Sequence, residues 1–235
     1  MTITVAFISQ KGGVGKTTLA FGLAALAAEN GWTTKIADLD AGQASSALTH
    51  MLRLKSATDD AERAAAKKRA PQTRANFEVQ VFEHTRDALR LASNFDLYII
   101  DGPAKMTAAS LEIARAADLV IQPTSPAVVD LVPAVAEFKA MEQAGICPSK
   151  LILALNKVKT AKQEEEARAW LGRVAPQYRL WGQALRDKAG YVDAMNTGAA
   201  ITEVKQKGLK AEAVTAIESI MAIVMERSAK VEAAQ

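Results

Sequence analysis

The sequence predicts an α/β fold in which a mostly parallel, doubly wound sheet is flanked by helices. Six short apolar runs alternate with helical patterns, which is typical of parallel strands joined by helical crossovers. Residues 97–100 show no polar alternation, as expected for a strand that is buried on both faces. The predicted strands are Thr34–Asp38, Leu97–Asp101 and residues 3–9, 78–82, 119–122 and 151–156.

Length and composition fit one globular domain. The chain has 235 residues, of which 49% are hydrophobic, and this is enough to bury a single core. We therefore expect one domain over residues 1–235, with a polar insertion at 56–76 and a C-terminal helix at 211–228. Residues 56–74 predict an exposed helix bounded by Pro71, and its basic cluster at 67–69 is expected to be solvated surface. Apolar side chains at helical spacing in the last helix indicate core packing.

Three observations predict a cytoplasmic location. The chain lacks the run of about 18 apolar residues that a membrane-spanning helix needs. The first predicted strand begins at residue 3, which leaves no room for a signal peptide. The single cysteine, Cys147, excludes an internal disulfide and suits a reducing compartment, and we expect it to be a small packing residue.

A glycine-rich segment follows the first predicted strand. Such a turn between a strand and a helix presents several backbone N–H groups to one point, where the helix dipole also favours an anion. Lys16 can reach terminal phosphates, and the hydroxyl of Thr17 can hold Mg²⁺. The segment therefore predicts a phosphate-binding loop, although the usual pattern has glycine at position 10 and no lysine at position 11. It reads Gln10-Lys11-Gly12-Gly13-Val14-Gly15-Lys16-Thr17-Thr18.

This variant resembles the deviant Walker A motif, K-G-G-x-G-K-T-T, of the ParA/MinD family of P-loop ATPases, and the chain is most similar to the small plasmid-type ParA partition ATPases. The resemblance implies a P-loop NTPase fold with ATP and Mg²⁺ as cofactors. It implies a homodimer in which Lys11 reaches the phosphates of the other subunit, while Lys16 neutralises the β- and γ-phosphates. Thr17 is expected to bind Mg²⁺ and Thr18 to contact the α-phosphate. The loop residues expected to cradle the phosphates are Gly12, Gly13, Val14, Gly15, Lys16, Thr17 and Thr18.

Three aspartates lie at or just after the ends of predicted strands, where ligands bind in such sheets. Asp38 and Asp40 resemble the family's D-x-D-P-Q motif, although alanine replaces proline and one residue is inserted before Gln43. By that resemblance, Asp40 orients the attacking water and Asp38 supports Mg²⁺ or the switch loop. A helix-capping role before Ser45 is the alternative for either one. Asp101 resembles a Walker B carboxylate, which holds the Mg²⁺ shell.

Residues further along the chain resemble other parts of the family's nucleotide site. Asn156 matches a position that hydrogen-bonds adenine in relatives, and Arg186 begins a stretch that resembles R-x-x-x-y-x-x-A. The resemblance also places Asp130 near the dimer interface. A proline that often lies over the base in the family is absent from residues 181–184, so adenine contacts there are left open.

Charge is unevenly distributed along the chain. Residues 77–149 carry five more acidic than basic side chains, whereas residues 150–210 carry six more basic than acidic ones. A basic surface of this kind is typical of phosphate-backbone binding, and the alternative is a solvated helical surface of mixed charge. Lys188, Lys205, Lys207 and Lys210 are the candidate DNA-binding residues. The wider set also contains Lys150, Lys157, Lys159, Arg168, Arg173, Arg179 and Arg186.

Taken together, the resemblance implies an ATPase that dimerises on ATP, binds DNA without sequence specificity and drives plasmid or chromosome partition. A ParB-like or other cargo-adaptor protein is expected to stimulate its slow hydrolysis, and the ATP state is expected on the nucleoid. Three alternatives remain: positioning of a protein cargo, a MinD-like membrane-associated ATPase, and a binding module without turnover. The last segment, 228–235, has little apolar area and mixed charge, so membrane binding through it is not expected.

Overall fold

The computed structural model describes residues 2–40, 42–68, 70–71, 74–104 and 107–233. Seven strands form one parallel sheet in the order β3-β2-β4-β1-β5-β6-β7, and the predicted α/β class is confirmed. The strands are β1 Ile3–Phe7, β2 Thr34–Asp38, β3 Glu78–Val81, β4 Leu97–Asp101, β5 Leu119–Thr124, β6 Leu151–Leu155 and β7 Arg179–Leu180.

Eight α-helices within these ranges connect the strands or pack on the sheet. They are α1 Lys16–Glu29, α2 Ser45–Ala66, α3 Thr85–Leu89, α4 Ala108–Ala116, α5 Val128–Gln143, α6 Ala161–Val174, α7 Ala189–Asn196 and α8 Lys207–Glu232. Short 3₁₀ turns lie at Ala92–Asn94, Pro148–Lys150 and Ile201–Glu203.

Two apolar layers cover the two faces of the sheet. One layer packs α1 and α8 against the central strands, and it includes Phe21 and Ile217. The other packs α4, α5 and α6 on the opposite face, and it includes Phe138. All five residues of β4 are buried, which agrees with the absence of alternation in its sequence. The carboxyl ends of β1, β2 and β4 consequently meet at one edge of the sheet.

Several predicted boundaries differ from the structure. Strands β1, β3 and β6 end one or two residues earlier than predicted, and β5 runs two residues further. The polar insertion does not form a separate helix, because α2 runs without a break from Ser45 to Ala66 and ends before Pro71. The C-terminal helix is longer than predicted at both ends. Cys147 is exposed rather than packed.

Strand β7 is absent from the predicted set. It has only two residues, one of which is the exposed Arg179, and it lies at the edge of the sheet. A strand of this length carries no apolar run, so the pattern that located the other six strands could not find it.

Candidate functional site

The glycine-rich loop joins β1 to α1, and two of its glycines adopt left-handed backbone conformations. Gly13 has φ of 72° and Gly15, the N-cap of α1, has φ of 98°. A Cβ atom on Gly15 would collide with the side-chain amide of Asn156. Glycine is therefore required at position 15 for two independent reasons, backbone conformation and close approach.

Asn156, at the end of β6, holds this loop in place. Its Nδ2 donates to the carbonyl of Val14 over 2.7 Å, and its Oδ1 accepts from the backbone N–H of Lys157 over 2.8 Å. The side chain is buried at 3% exposure. The structure thus gives Asn156 a loop-anchoring contact, and the predicted adenine contact stays a prediction.

Asp101, at the end of β4, is the centre of the polar contacts in the site. Its Oδ2 accepts from the hydroxyl of Thr17 over 2.6 Å and from the hydroxyl of Ser46 over 2.8 Å. Its Oδ1 is buried and has no hydrogen-bond partner among the described residues. Burial raises the pKa of Asp101 to about 6, although the bonds from Thr17 and Ser46 oppose that shift. A buried carboxylate oxygen without a hydrogen-bond partner is expected to bind a ligand such as a cation.

The oxygen atoms around Asp101 fit a magnesium ion. Mg²⁺ binds hard oxygen ligands, commonly one or two carboxylates together with substrate phosphates. Thr17 and Asp101 supply a hydroxyl and a carboxylate oxygen beside the phosphate-binding loop. In the described part of the chain, no group of three or more His, Cys, Asp or Glu side chains could hold a metal. The donors present therefore suit a cation that is shared with a phosphate ligand.

Asp38, at the end of β2, anchors the start of α2. Its Oδ2 accepts from the backbone N–H of Ser46 over 2.9 Å and of Ala47 over 3.1 Å, and its Oδ1 accepts from the N–H of Asp40 over 3.1 Å. Burial raises the pKa of Asp38, and these backbone bonds oppose the shift. The carboxylate caps a helix that begins seven residues later. These contacts correspond to the helix-capping alternative for Asp38, while its support of Mg²⁺ or of the switch loop stays a prediction.

Asp40 lies in the same cleft and is partly exposed. Its backbone carbonyl accepts from the N–H of Gln43 over 3.0 Å, which closes the turn into α2. Position 41, where alanine replaces the family's proline, lies outside the described residues. Asp40 and Lys16 line the same cleft, and the water-orienting role of Asp40 stays a prediction.

A cleft of about 320 Å³ connects these groups. It extends from the glycine-rich loop to α7, where Tyr191 and Met195 provide apolar surface. Arg186 lines the cleft and pairs with Glu164 over 3.0 Å, while its buried Nη1 has no partner in the described ranges. Lys188, a DNA-binding candidate, lines this same cleft. The other predicted residues in the lining are Gly12, Gly13, Gly15, Lys16, Thr17, Thr18, Asp40, Asp101, Asn156 and Lys157.

Lys11 points away from the cleft and pairs with Asp130 in the first turn of α5. The hydroxyl of Ser125 also donates to this carboxylate. Burial acts to raise the pKa of Asp130, but the hydrogen bonds from Lys11 and Ser125 outweigh it and hold the pKa below its ordinary value. The loop lysine is therefore bound within its own subunit in this structure.

The eleven predicted basic residues differ in their contacts, and Lys157, Lys159, Arg173 and Lys188 are exposed. Four are engaged in local contacts: Lys150 donates to backbone carbonyls, Arg168 to three carbonyls and Glu164, Arg179 to Glu226, and Arg186 to Glu164. By contrast, Lys205, Lys207 and Lys210 are exposed and form no ion pair within the described ranges. They lie at or just before the first turn of α8 and do not line the cleft.

Sequence reasoning missed Ser46 and Glu137. Ser46 is fully buried and contacts both Asp38 and Asp101. The sequence offered one sign of this role, because Ser46 lies at the start of the helix that follows Asp38. Glu137 is 2% exposed and accepts the backbone N–H of Gln10 over 3.1 Å. The sequence offered one sign of this burial: Glu137 is a charged residue that shares the buried face of α5 with apolar residues.

Solved structures of similar fold support this description, at identities that establish the fold alone. A variant of Cyanothece McdA in complex with ATP is 21% identical, with 93% of this chain and 96% of that chain covered and a TM-score of 0.67. The Pyrococcus horikoshii septum site-determining protein MinD, complexed with Mg-ADP, is 17% identical, with 97% and 99% covered and a TM-score of 0.69. A ParA family ATPase from Chlorobium tepidum is 16% identical, with 93% and 99% covered and a TM-score of 0.69.

Comparison with curated protein sequences gives no match. The family model described as the CobQ/CobB/MinD/ParA nucleotide binding domain, however, matches residues 5–231, nearly the whole chain. The match includes the glycine-rich loop and all three aspartates at the strand ends. This chain therefore belongs to the CobQ/CobB/MinD/ParA nucleotide-binding family.

Proposed function

We propose that the protein is a ParA-like ATPase that binds ATP and Mg²⁺ in the cleft beside the glycine-rich loop. The observation that carries this proposal is the bond between Thr17 and Asp101, whose other carboxylate oxygen is buried and has no partner among the described residues. The fold is also shared with McdA bound to ATP and with MinD bound to Mg-ADP.

Different residues of the site have different roles in phosphoryl transfer. The backbone N–H groups of the loop and the ammonium of Lys16 bind the phosphates, and Thr17 and Asp101 hold the metal. A bound Mg²⁺ would stabilise the negative charge that develops on the phosphates. Asp40 orients the attacking water, which agrees with its position in the cleft lining. Because the reaction depends mainly on positioning and charge, these few groups suffice.

We further propose that ATP joins two subunits and that this dimer binds DNA without sequence specificity. Lys11 must then leave Asp130 to reach the phosphates of the other subunit. The exposed lysines at the start of α8 supply the DNA-binding surface, because unpaired ammonium groups are free to contact phosphates. A ParB-like or other adaptor protein on the cargo stimulates slow hydrolysis, and the ADP state releases the DNA. The biological outcome is plasmid or chromosome partition.

Positioning of a protein cargo would use the same cycle of ATP binding and hydrolysis and would differ only in the adaptor protein.

The membrane alternative has less support. No helix in the described ranges is long and apolar enough to cross a bilayer. A MinD-like attachment would instead need an apolar surface on the last helix, and Met225 is the single exposed large apolar side chain of α8.

The test is binding to a random-sequence DNA duplex with ATP, with ADP and without nucleotide, over a series of salt concentrations. Binding that requires ATP and weakens steeply with salt would support the proposal. ATP-dependent dimerisation without DNA binding in any state would favour a protein cargo, and sedimentation with anionic liposomes would then test the membrane alternative. Absence of ATP binding and of turnover would overturn the assignment as an ATPase.

A further inference from the structure

Helix α5 presents two carboxylates to the start of the glycine-rich loop. Asp130 and Glu137 are seven residues apart, about two helical turns, so both lie on the same face of the helix. Asp130 takes the side chain of Lys11, and Glu137 accepts the backbone N–H of Gln10 over 3.1 Å. Two consecutive loop residues are therefore held by one helix.

Glu137 is itself held from the sheet. The side-chain amide of Gln122 in β5 donates to Glu137 Oε2, the same oxygen that accepts from Gln10. The remaining oxygens of the two side chains, Glu137 Oε1 and Gln122 Oε1, are buried without a partner among the described residues. Burial raises the pKa of Glu137, while the Gln10 N–H, the charge of Lys16 and the Gln122 amide oppose the shift.

A buried carboxylate that is not fully hydrogen-bonded destabilises a fold, so its presence needs a reason. Glu137 does not contact the nucleotide cleft. It lines a separate pocket of about 340 Å³ between the loop and α5, together with Gln10, Lys11, Val14 and Gln122. Among the described residues this pocket and the cleft share no lining residue, so Glu137 contacts the loop without lining the cleft.

We infer that Glu137 is the positioning residue of the phosphate-binding loop. It fixes the first peptide of the loop through the N–H of Gln10, and thereby the direction in which the following N–H groups point. Gln122 holds Glu137 in the rotamer that makes this contact. The inference rests on the proposed nucleotide site and adds a residue to it that does not touch the nucleotide.

The substitutions Glu137→Ala and Glu137→Gln separate this role from charge alone. Alanine leaves the Gln10 N–H without an acceptor, and we expect Mg-ATP to bind about tenfold more weakly. Glutamine can place its amide oxygen where Glu137 Oε2 lies, so that it still accepts from both the Gln10 N–H and the Gln122 amide. We expect Glu137→Gln to bind within about threefold of the wild type. Lys139→Ala, on the exposed face of the same helix, is the matched control and should bind like the wild type.

Hydrogen exchange of the ligand-free protein supplies a readout that loss of overall stability would not mimic. In Glu137→Ala, amides of residues 10–16 should exchange about tenfold faster, while those of β4 stay unchanged. An equal increase in both segments would overturn the inference, as would full ATP affinity in Glu137→Ala or a tenfold loss in Glu137→Gln. If Glu137→Ala does not fold, Gln122→Ala replaces it, and it must show the same selective increase. Failure of the wild type to bind Mg-ATP would overturn the proposed function, while the exchange data would still decide this inference.

Discussion

Lys11 and Asp130 are 119 residues apart in the chain and form an ion pair between the glycine-rich loop and α5 of the same subunit. If Lys11 acts across a dimer, this pair must open first. The Lys11 side chain is 52% exposed, so the pair contributes only about 0.2–1 kcal/mol. Two such pairs open in each dimer, so we expect Asp130→Ala to tighten ATP-dependent dimerisation by about twofold to thirtyfold, measured by sedimentation at a series of protein concentrations.

Lys11→Ala tests the other half of this relationship. It should abolish hydrolysis stimulated by the adaptor protein, because the contact with the phosphates of the other subunit is lost, while Asp130→Ala should keep that stimulation. Steady-state turnover with and without the adaptor measures both variants. Equal losses in the two variants would mean that the pair within one subunit, and not the contact between subunits, supports turnover.

Local patterns made most of this site predictable. The loop glycines, Lys16, Thr17 and the strand-end Asp101 follow from residue types at fixed positions after buried strands, and the structure brings them together. Contacts between distant segments of the chain leave no local pattern in the sequence from which they could be predicted. The pair of Lys11 with Asp130 and the bond of Gln10 to Glu137 each join residues more than 100 positions apart.

Asp38 shows a different limit of the sequence. A carboxylate after a strand fits either a metal ligand or a helix cap, since both roles need an oxygen acceptor at that edge. Only the position of α2 reveals the capping contacts, because the backbone N–H groups of Ser46 and Ala47 donate to this carboxylate.

Gly15 and Gly12 form a matched pair for testing the loop. Gly15→Ala places a Cβ against Asn156 in a left-handed backbone conformation, so we expect a loss of at least about 2 kcal/mol of stability and of ATP binding. At Gly12, an added Cβ would meet no described atom within 4 Å, and Gly12→Ala should therefore be about as stable as the wild type. Urea unfolding and ATP titration measure both. Similar losses of stability in the two variants would contradict the close approach of Asn156 to the loop.

Asp40→Ala tests the role of the cleft carboxylate in hydrolysis. We expect adaptor-stimulated turnover to fall by about a hundredfold because the attacking water loses its acceptor. ATP binding and dimerisation should remain, so the variant should stay on DNA as the ATP dimer. Asp59→Ala, on the outer part of α2, is the control. Turnover in Asp40→Ala equal to that of the control would remove Asp40 from the mechanism.

The exposed lysines Lys205, Lys207 and Lys210 can be tested by reversal of their charge. Changing all three to glutamate should weaken ATP-dependent DNA binding and lower the salt slope of the affinity by about 2–3, since each phosphate contact contributes about 0.9. ATP affinity should stay unchanged because these residues do not line the cleft. The control is the double reversal of Lys67 and Lys68, at the end of α2. An unchanged salt slope in the triple variant would exclude this group from the DNA-binding surface.

The raised pKa of Glu137 makes the stability of the ligand-free protein depend on pH in a defined direction. Burial raises this pKa above its ordinary value of 4.5, so the folded state binds a proton more tightly than the unfolded state. The contribution of this group to stability is complete below pH 4.5 and is lost as pH rises through the folded-state pKa.

The variant Glu137→Gln lacks this dependence on pH. Its free energy of unfolding relative to the wild type should therefore increase with pH above 4.5, by at most about 1.4 kcal/mol per pH unit, and then level off. Urea unfolding of both proteins between about pH 4.5 and 7.5 measures this difference in the free energy of unfolding. If the difference does not change with pH, Glu137 is not desolvated by its contacts with the loop.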